Sequence, residues 1–310
     1  MHLQRTINDE IYCNSTGLHS GRKVSMTIRP ALVDEGIVFI RKDIPSGYRI
    51  QADYNNVADT TLATTLGTNG ASISTVEHLL SAFSGMGVDN AIVEVNAPEV
   101  PIMDGSALPF VEMLKGVGTR TQGKYKKVLV VRREVSVSDG VGTAMFLPAP
   151  EFKITYKIDF KHPIIGQQSH SMTFTDECYE RDICPARTFG FLRDVEYLQA
   201  RGLALGGSLG NAVVLDDERV LNKEGLRFPD EFVKHKILDA IGDLALLGMP
   251  IIGHFVAYKS GHKMNNLLLK ELMSREENRE IIDHPTAEAA PERFRSLRIP
   301  AFRVLDAARA

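Results

Sequence analysis

His235 and Asp239 stand four residues apart in Phe232-Val-Lys-His-Lys-Ile-Leu-Asp-Ala-Ile-Gly-Asp-Leu-Ala-Leu-Leu247. In a helix that spacing puts both side chains on one face, about one turn apart. Asp243 continues the row, while Phe232, Val233, Ile237, Leu238, Ile241, Leu244 and Leu247 make almost every other direction apolar. A helix apolar nearly all round is a buried one. A carboxylate beside an imidazole is costly there unless something pairs with them. A divalent cation is one such partner, and imidazole with carboxylate suits zinc. Taken alone, a His-x-x-x-Asp pair is more often a local hydrogen bond on a half-exposed helix. The apolar surround and the third acid shift that balance without settling it.

A second cluster lies in Ser74-Thr-Val-Glu-His78. Ser74 with Glu77 fits a capping box ahead of an apolar run, which is the structural reading of Glu77. His78 points elsewhere, because adjacent helix positions differ by roughly 100°. A Glu-His dipeptide is weak evidence alone, but His235 and Asp239 lack a third ligand. Catalytic zinc sites commonly take three protein ligands and leave one position open. A neighbouring glutamate can then act as base toward water.

His262, in Ser260-Gly-His-Lys-Met-Asn-Asn266, is expected on a loop just beyond a strand. It reads either as an exposed loop histidine or as a second acid/base, kept cationic by Asp243. Thr188, in Pro185-Ala-Arg-Thr-Phe-Gly-Phe191, offers a hydroxyl to an oxyanion. His19 falls in a turn, Thr16-Gly-Leu-His-Ser-Gly21, in a structural or substrate-contacting role. His162, His170, His254 and His284 have no local partner to single them out.

The elements that must position these groups read as α+β. Val24–Arg29 alternates as a strand, and 36–41 is a short apolar run. The pattern predicts a helix over 73–83, a buried strand over 90–96 and a helix over 109–114. The polar, glycine-rich stretch 116–124 is the expected boundary between units. Strands are then expected over 127–132, 134–138 and 152–158. The His235 helix follows, stopped by Gly248-Met-Pro250, then a strand over 252–258 and a last helix from Asn266. Both halves thus run strands, helix, strand, helix, as two similar α+β units, 1–122 and 123–275. The charged segment 276–310 is expected to be peripheral.

Composition removes several classes. With 310 residues the chain can bury a large core, and 44% hydrophobic with 24% charged residues is ordinary for a globular protein. A net charge of -3, with basic residues scattered but for Lys124-Tyr-Lys-Lys127, argues against nucleic acid. No apolar run approaches a membrane span, and the N-terminus lacks a signal-peptide core. Three cysteines form neither a CxxC pair nor an even framework. A cytoplasmic location is the default expectation, and any metal would be held by His and carboxylate.

Six segments occur in an order that resembles one family: Thr16-Gly-Leu-His19, Ser74-Thr-Val-Glu-His-Leu79, Asn96-Ala-Pro-Glu-Val-Pro-Ile-Met-Asp-Gly-Ser106, Ala186-Arg-Thr-Phe-Gly190, His235-Lys-Ile-Leu-Asp-Ala-Ile-Gly-Asp-Leu244 and Gly261-His262. The sequence is similar, over roughly 1–275, to the UDP-3-O-acyl-N-acetylglucosamine deacetylases, zinc amidases of lipid A biosynthesis in Gram-negative bacteria. The resemblance implies two domains, each a β-sheet layered against helices, with the active site between them. It implies one zinc ion on His78, His235 and Asp239, although ligand type does not separate Zn²⁺ from Fe²⁺. It implies Glu77 as general base and His262 as cationic partner and general acid, oriented by Asp243. Thr188 would hold the oxyanion, and Lys236 would contact the substrate.

Residues 187–205 resemble the family's acyl-chain insert, whose helix carries Val195 and Leu198 at i, i+3. Without the family that stripe reads as ordinary core. Substrate contacts are implied for Leu18, His19, Leu62, Phe189, Phe191, Asp194, Val195 and Leu198. The expected partner is UDP-3-O-acyl-N-acetylglucosamine, on a monomeric chain. A zinc hydrolase of another N-acyl amino sugar is the nearest rival. A metal-dependent binder without turnover is a rival of another class, and it would need neither Glu77 nor His262.

Overall fold

The computed structural model describes residues 3–45, 47–68 and 70–283. It is a mixed α/β structure of several sheets. In the N-terminal half, five strands run in the order Ile11–Thr16, Lys23–Pro30, Ala91–Val95, Ile37–Arg41 and Tyr48–Gln51. Pairing is antiparallel, except that Ile37–Arg41 and Ala91–Val95 are parallel. The expected alternation of Lys23–Pro30 is present: Val24, Met26 and Ile28 are buried and their neighbours face outward. Helices α1 (Glu77–Met86) and α2 (Leu108–Val117) belong to this half.

The C-terminal half builds a seven-stranded sheet around Ile251–Tyr258. That strand pairs antiparallel with Thr143–Leu147 and parallel with Phe152–Asp159 and Val128–Val131. A single turn, α3 (Asp176–Cys178), and a π turn at Tyr179–Ile183 lead to helix α4 (Leu192–Gln199). Helices α5 (Glu231–Ala245) and α6 (His262–Ser274) complete the half.

Helix α5 is the buried helix that its sequence predicts. Phe232, Val233, Ile237, Leu238, Ile241 and Leu244 are all at most 3% exposed. Each such side chain contributes roughly 1.5–3 kcal/mol on burial. The partner helix is α1. The two backbones touch at Gly242, where a Cβ would lie 2.0 Å from the Glu77 carbonyl oxygen.

Four expectations need correction. The stretch 116–124 is no linker: Thr119–Tyr125 is a strand, paired antiparallel with Leu3–Ile7, so the 122/123 boundary cuts through it. Its partner comes from the far N-terminus, which no local pattern reveals. Helix α1 starts at Glu77 rather than 73, after a short strand at Ala71–Ile73. The Ser74–Glu77 capping box does not form, since Val76 precedes the helix without a side-chain cap. His262 is the first residue of α6, not a loop residue, because Gly261 is extended and the helix begins directly after it. Of the expected peripheral segment, Arg279–Ile282 pairs with Val128–Val131 at a sheet edge. Glu276–Asn278 is a 3-10 turn before that strand, and residues 284–310, His284 among them, lie outside the described residues.

Candidate active site

Helix α5 presents His235 and Asp239, and the first turn of α1 presents Glu77 and His78. One ligand atom each from His78, His235 and Asp239 lies within 4.8 Å of the others, and all three residues are buried. His235 Nε2 is 3.2 Å and His78 Nε2 is 3.5 Å from Asp239 Oδ1. The two rings meet edge to face, with centroids 5.0 Å apart. His235 Nδ1 lies 3.0 Å from the Ala186 carbonyl, which can only accept. That bond puts the proton on Nδ1 and leaves the Nε2 lone pair facing the cluster. Burial lowers the pKa of His78, favouring the neutral form that ligates. Burial would raise the Asp239 carboxyl, but His235 and Lys236 outweigh it and hold it well below the usual range. Two imidazoles and a carboxylate, dehydrated and convergent, fit a divalent cation.

A buried carboxyl–imidazole pair, Glu77 and His262, sits beside them. Glu77 Oε2 accepts the Thr64 backbone N–H at 3.1 Å, and Oε1 is 4.0 Å from His262 Nε2. Burial lifts the Glu77 pKa to about 7, against the opposing charge of His262. His262 Nδ1 donates to Asp243 Oδ2 at 2.9 Å. Burial alone would lower the His262 pKa, but the charge and hydrogen bond of Asp243, aided by Glu77, raise it to about 9. Asp243 is itself held: Thr64 Oγ1 donates to Oδ1 at 2.5 Å and the Asn265 amide to Oδ2 at 2.9 Å. Thr64 therefore touches both carboxylates, through its backbone and its hydroxyl. Sequence reading missed Thr64 and Asn265, and nothing local marks either.

A cavity of about 650 Å³ opens over this cluster. It is lined by Glu77, His78, His235, Lys236, Asp239 and His262, and also by Thr188. Asp243 lies behind His262 and does not line it. Lys236 Nζ is 2.8 Å from Asp239 Oδ2. Leu18, His19, Leu62, Phe189, Phe191, Asp194, Val195 and Leu198 all line the same cavity. Phe160, Leu209 and Leu221 join them and were not anticipated. The expected insert, 187–205, closes later than its sequence suggests, where Val213–Leu215 pairs in parallel with Phe189–Phe191. Arg187 anchors its start, donating from its backbone N–H and Nε to the fully buried Glu231 at 3.0 and 2.8 Å.

The cluster is a possible divalent-cation site set beside a buried carboxyl–imidazole pair. Comparison with known proteins identifies the family. The family profile described as "LpxC: UDP-3-O-acyl N-acetylglycosamine deacetylase" matches residues 4–274. A UDP-3-O-acyl-N-acetylglucosamine deacetylase of Syntrophus aciditrophicus (strain SB) is 60% identical over 312 residues, covering 99% of each chain. Proteins of the same name from Myxococcus xanthus (strain DK1622) and Teredinibacter turnerae (strain ATCC 39867 / T7901) are 52% and 50% identical. The first match covers 95% of this chain and 91% of the relative, the second 94% and 97%. The chain belongs to this deacetylase family. Among the described residues, no helix is long and apolar enough to cross a membrane.

Proposed function

We propose that the chain's activity, hydrolysis of the 2-acetamido group of UDP-3-O-acyl-N-acetylglucosamine in lipid A biosynthesis, runs on the cluster between α1 and α5. The observation that carries this is the convergence of His78, His235 and Asp239 beside a buried Glu77–His262 pair at the base of a largely apolar cavity. The three ligands would hold one Zn²⁺. When bound, the cation supplies Lewis-acid polarisation of the amide carbonyl and acidifies water. Glu77 takes a proton from the water as its oxygen bonds to the carbonyl carbon. The Thr188 hydroxyl donates to the developing oxyanion. His262, protonated and oriented by Asp243, delivers a proton to the sugar nitrogen as the C–N bond breaks. Acetate leaves and the sugar keeps a free amine. Lys236, beside Asp239, contacts the substrate. The cavity wall from Phe189 to Leu198 takes the acyl chain.

The two halves act as α+β units with the site between them. Support comes from the five- and seven-stranded sheets, each drawn from one half, and from the α1–α5 contact. The test is acetate release from this substrate by metal-stripped protein, before and after one equivalent of zinc. Activity that appears only with zinc is expected. No acetate in either state, with zinc bound, overturns the reading.

A further inference from the structure

Glu99 is 2% exposed and lies outside the cavity, yet it is tied to both sides of the site. Its Oε1 accepts the backbone N–H of His19 at 2.8 Å and the hydroxyl of Thr75 at 3.1 Å. Its Oε2 accepts the backbone N–H of Ser20 at 2.9 Å. An ionised carboxylate can only accept, so one side chain satisfies three donors from two distant segments. The fit is close: a Cβ on Gly17 would lie 2.3 Å from Glu99 Oε2.

Each segment leads to a different part of the reaction. The His19 turn carries the far wall of the cavity. The carbonyls of Leu18 and His19 accept the N–H groups of Gly206 and Leu205 at 3.0 and 3.1 Å. The Ala204 N–H reaches His19 Nδ1 at 3.4 Å. A Cβ on Gly206 would lie 2.2 Å from the Gly17 carbonyl oxygen, so wall and turn are in close backbone contact. Thr75 is the other segment. It is buried with φ +58°, a left-handed conformation that β-branched residues rarely adopt, two residues before Glu77. The backbone bonds Ser74 N to Pro98 O and Val100 N to Ser74 O, at 2.9 and 3.0 Å, hold that bend against the segment that carries Glu99.

We propose that Glu99 is a positioning residue that couples the acyl-cavity wall to the catalytic pair: it fixes the His19 turn against Thr75, and so registers the acyl chain with Glu77 and His78. This rests on the deacetylase reading above. Loss of the clamp uncouples chain binding from amide cleavage.

The experiment compares kcat and KM for two substrates, UDP-3-O-acyl-N-acetylglucosamine with a long acyl chain and its 3-O-acetyl counterpart. The parent is measured beside Glu99→Gln, which replaces an acceptor with an amide N–H facing a donor, and beside Gly206→Ala, which breaks the wall from the turn with Glu99 intact. In both variants the long-to-short ratio of kcat/KM is expected to fall more than fivefold, mostly through kcat on the long-chain substrate. A merely structural role lowers both substrates together and leaves the ratio alone. A smaller change in the ratio overturns the proposal, whatever happens to overall rate. Should Glu99→Gln not fold, Gly206→Ala decides by the same criterion. A parent inactive on both substrates overturns the deacetylase reading, and this proposal with it.

Discussion

Asp243 grips His262 through a buried hydrogen bond, Oδ2 to Nδ1 at 2.9 Å, on the side of the ring away from Glu77. The carboxylate therefore orients the imidazole and favours its charged form, while Nε2 stays turned toward Glu77.

The first consequence is a bell-shaped dependence of kcat/KM on pH. Glu77 must be ionised to accept a proton, so activity rises as pH passes its pKa of about 7. A bound cation favours the carboxylate and moves that limb lower. His262 must be protonated to donate, so activity falls as pH passes about 9. A rate profile from pH 5 to 10 checks both limbs. A flat alkaline side would remove His262 as the acid.

Asp243→Ala should shift the alkaline limb down by at least about one pH unit, since the main source of the raised His262 pKa is gone. Zinc content should hold, because Asp243 is not in the ligand set. An unmoved limb, measured on the same substrate, would mean that some other group titrates there.

Glu77→Ala should lower kcat about 10²- to 10⁴-fold, the usual contribution of a positioned base. Atomic emission should still find one zinc per chain. Near-parent turnover would exclude Glu77 as the base.

Asp239→Ala should lose zinc, leaving two imidazoles and an unpaired Lys236. In the parent, zinc held by the proposed ligands would join α1 to α5, so saturating metal should raise the melting temperature. A hundredfold excess over Kd corresponds to about 2.7 kcal/mol. Calorimetry with and without chelator measures this, and full zinc occupancy in the variant would break the ligand assignment.

Thr188→Val removes a hydroxyl and keeps the shape. A drop of about 10²-fold in kcat with little change in KM is expected of an oxyanion donor. A change confined to KM would make Thr188 a substrate contact only.

The parts of the fold legible in sequence are those whose signal is local. Helix α5 could be read because its apolar residues recur on nearly all faces, with His235, Asp239 and Asp243 in one row among its few polar residues. Lys23–Pro30 could be read from its alternation. Thr64 could not: its hydroxyl partner, Asp243, is 179 residues away. The strand Thr119–Tyr125 looked like a linker because its partner is Leu3–Ile7. The Ser74 capping box failed for a related reason. Ser74 is drawn into a bridge with Glu99, and Thr75 turns left-handed before the helix can start. Glu77 is thereby freed from a capping role and faces His262.

Gly242 gives the site a ruler made of main chain. Where α5 crosses Glu77 the two backbones are separated by less than one methyl group. The span from His78 to His235 and Asp239 is thus set by peptide atoms, which do not repack, rather than by side chains, which do. One added carbon at position 242 cannot be absorbed, and it would widen the gap between His78 and the His235–Asp239 pair.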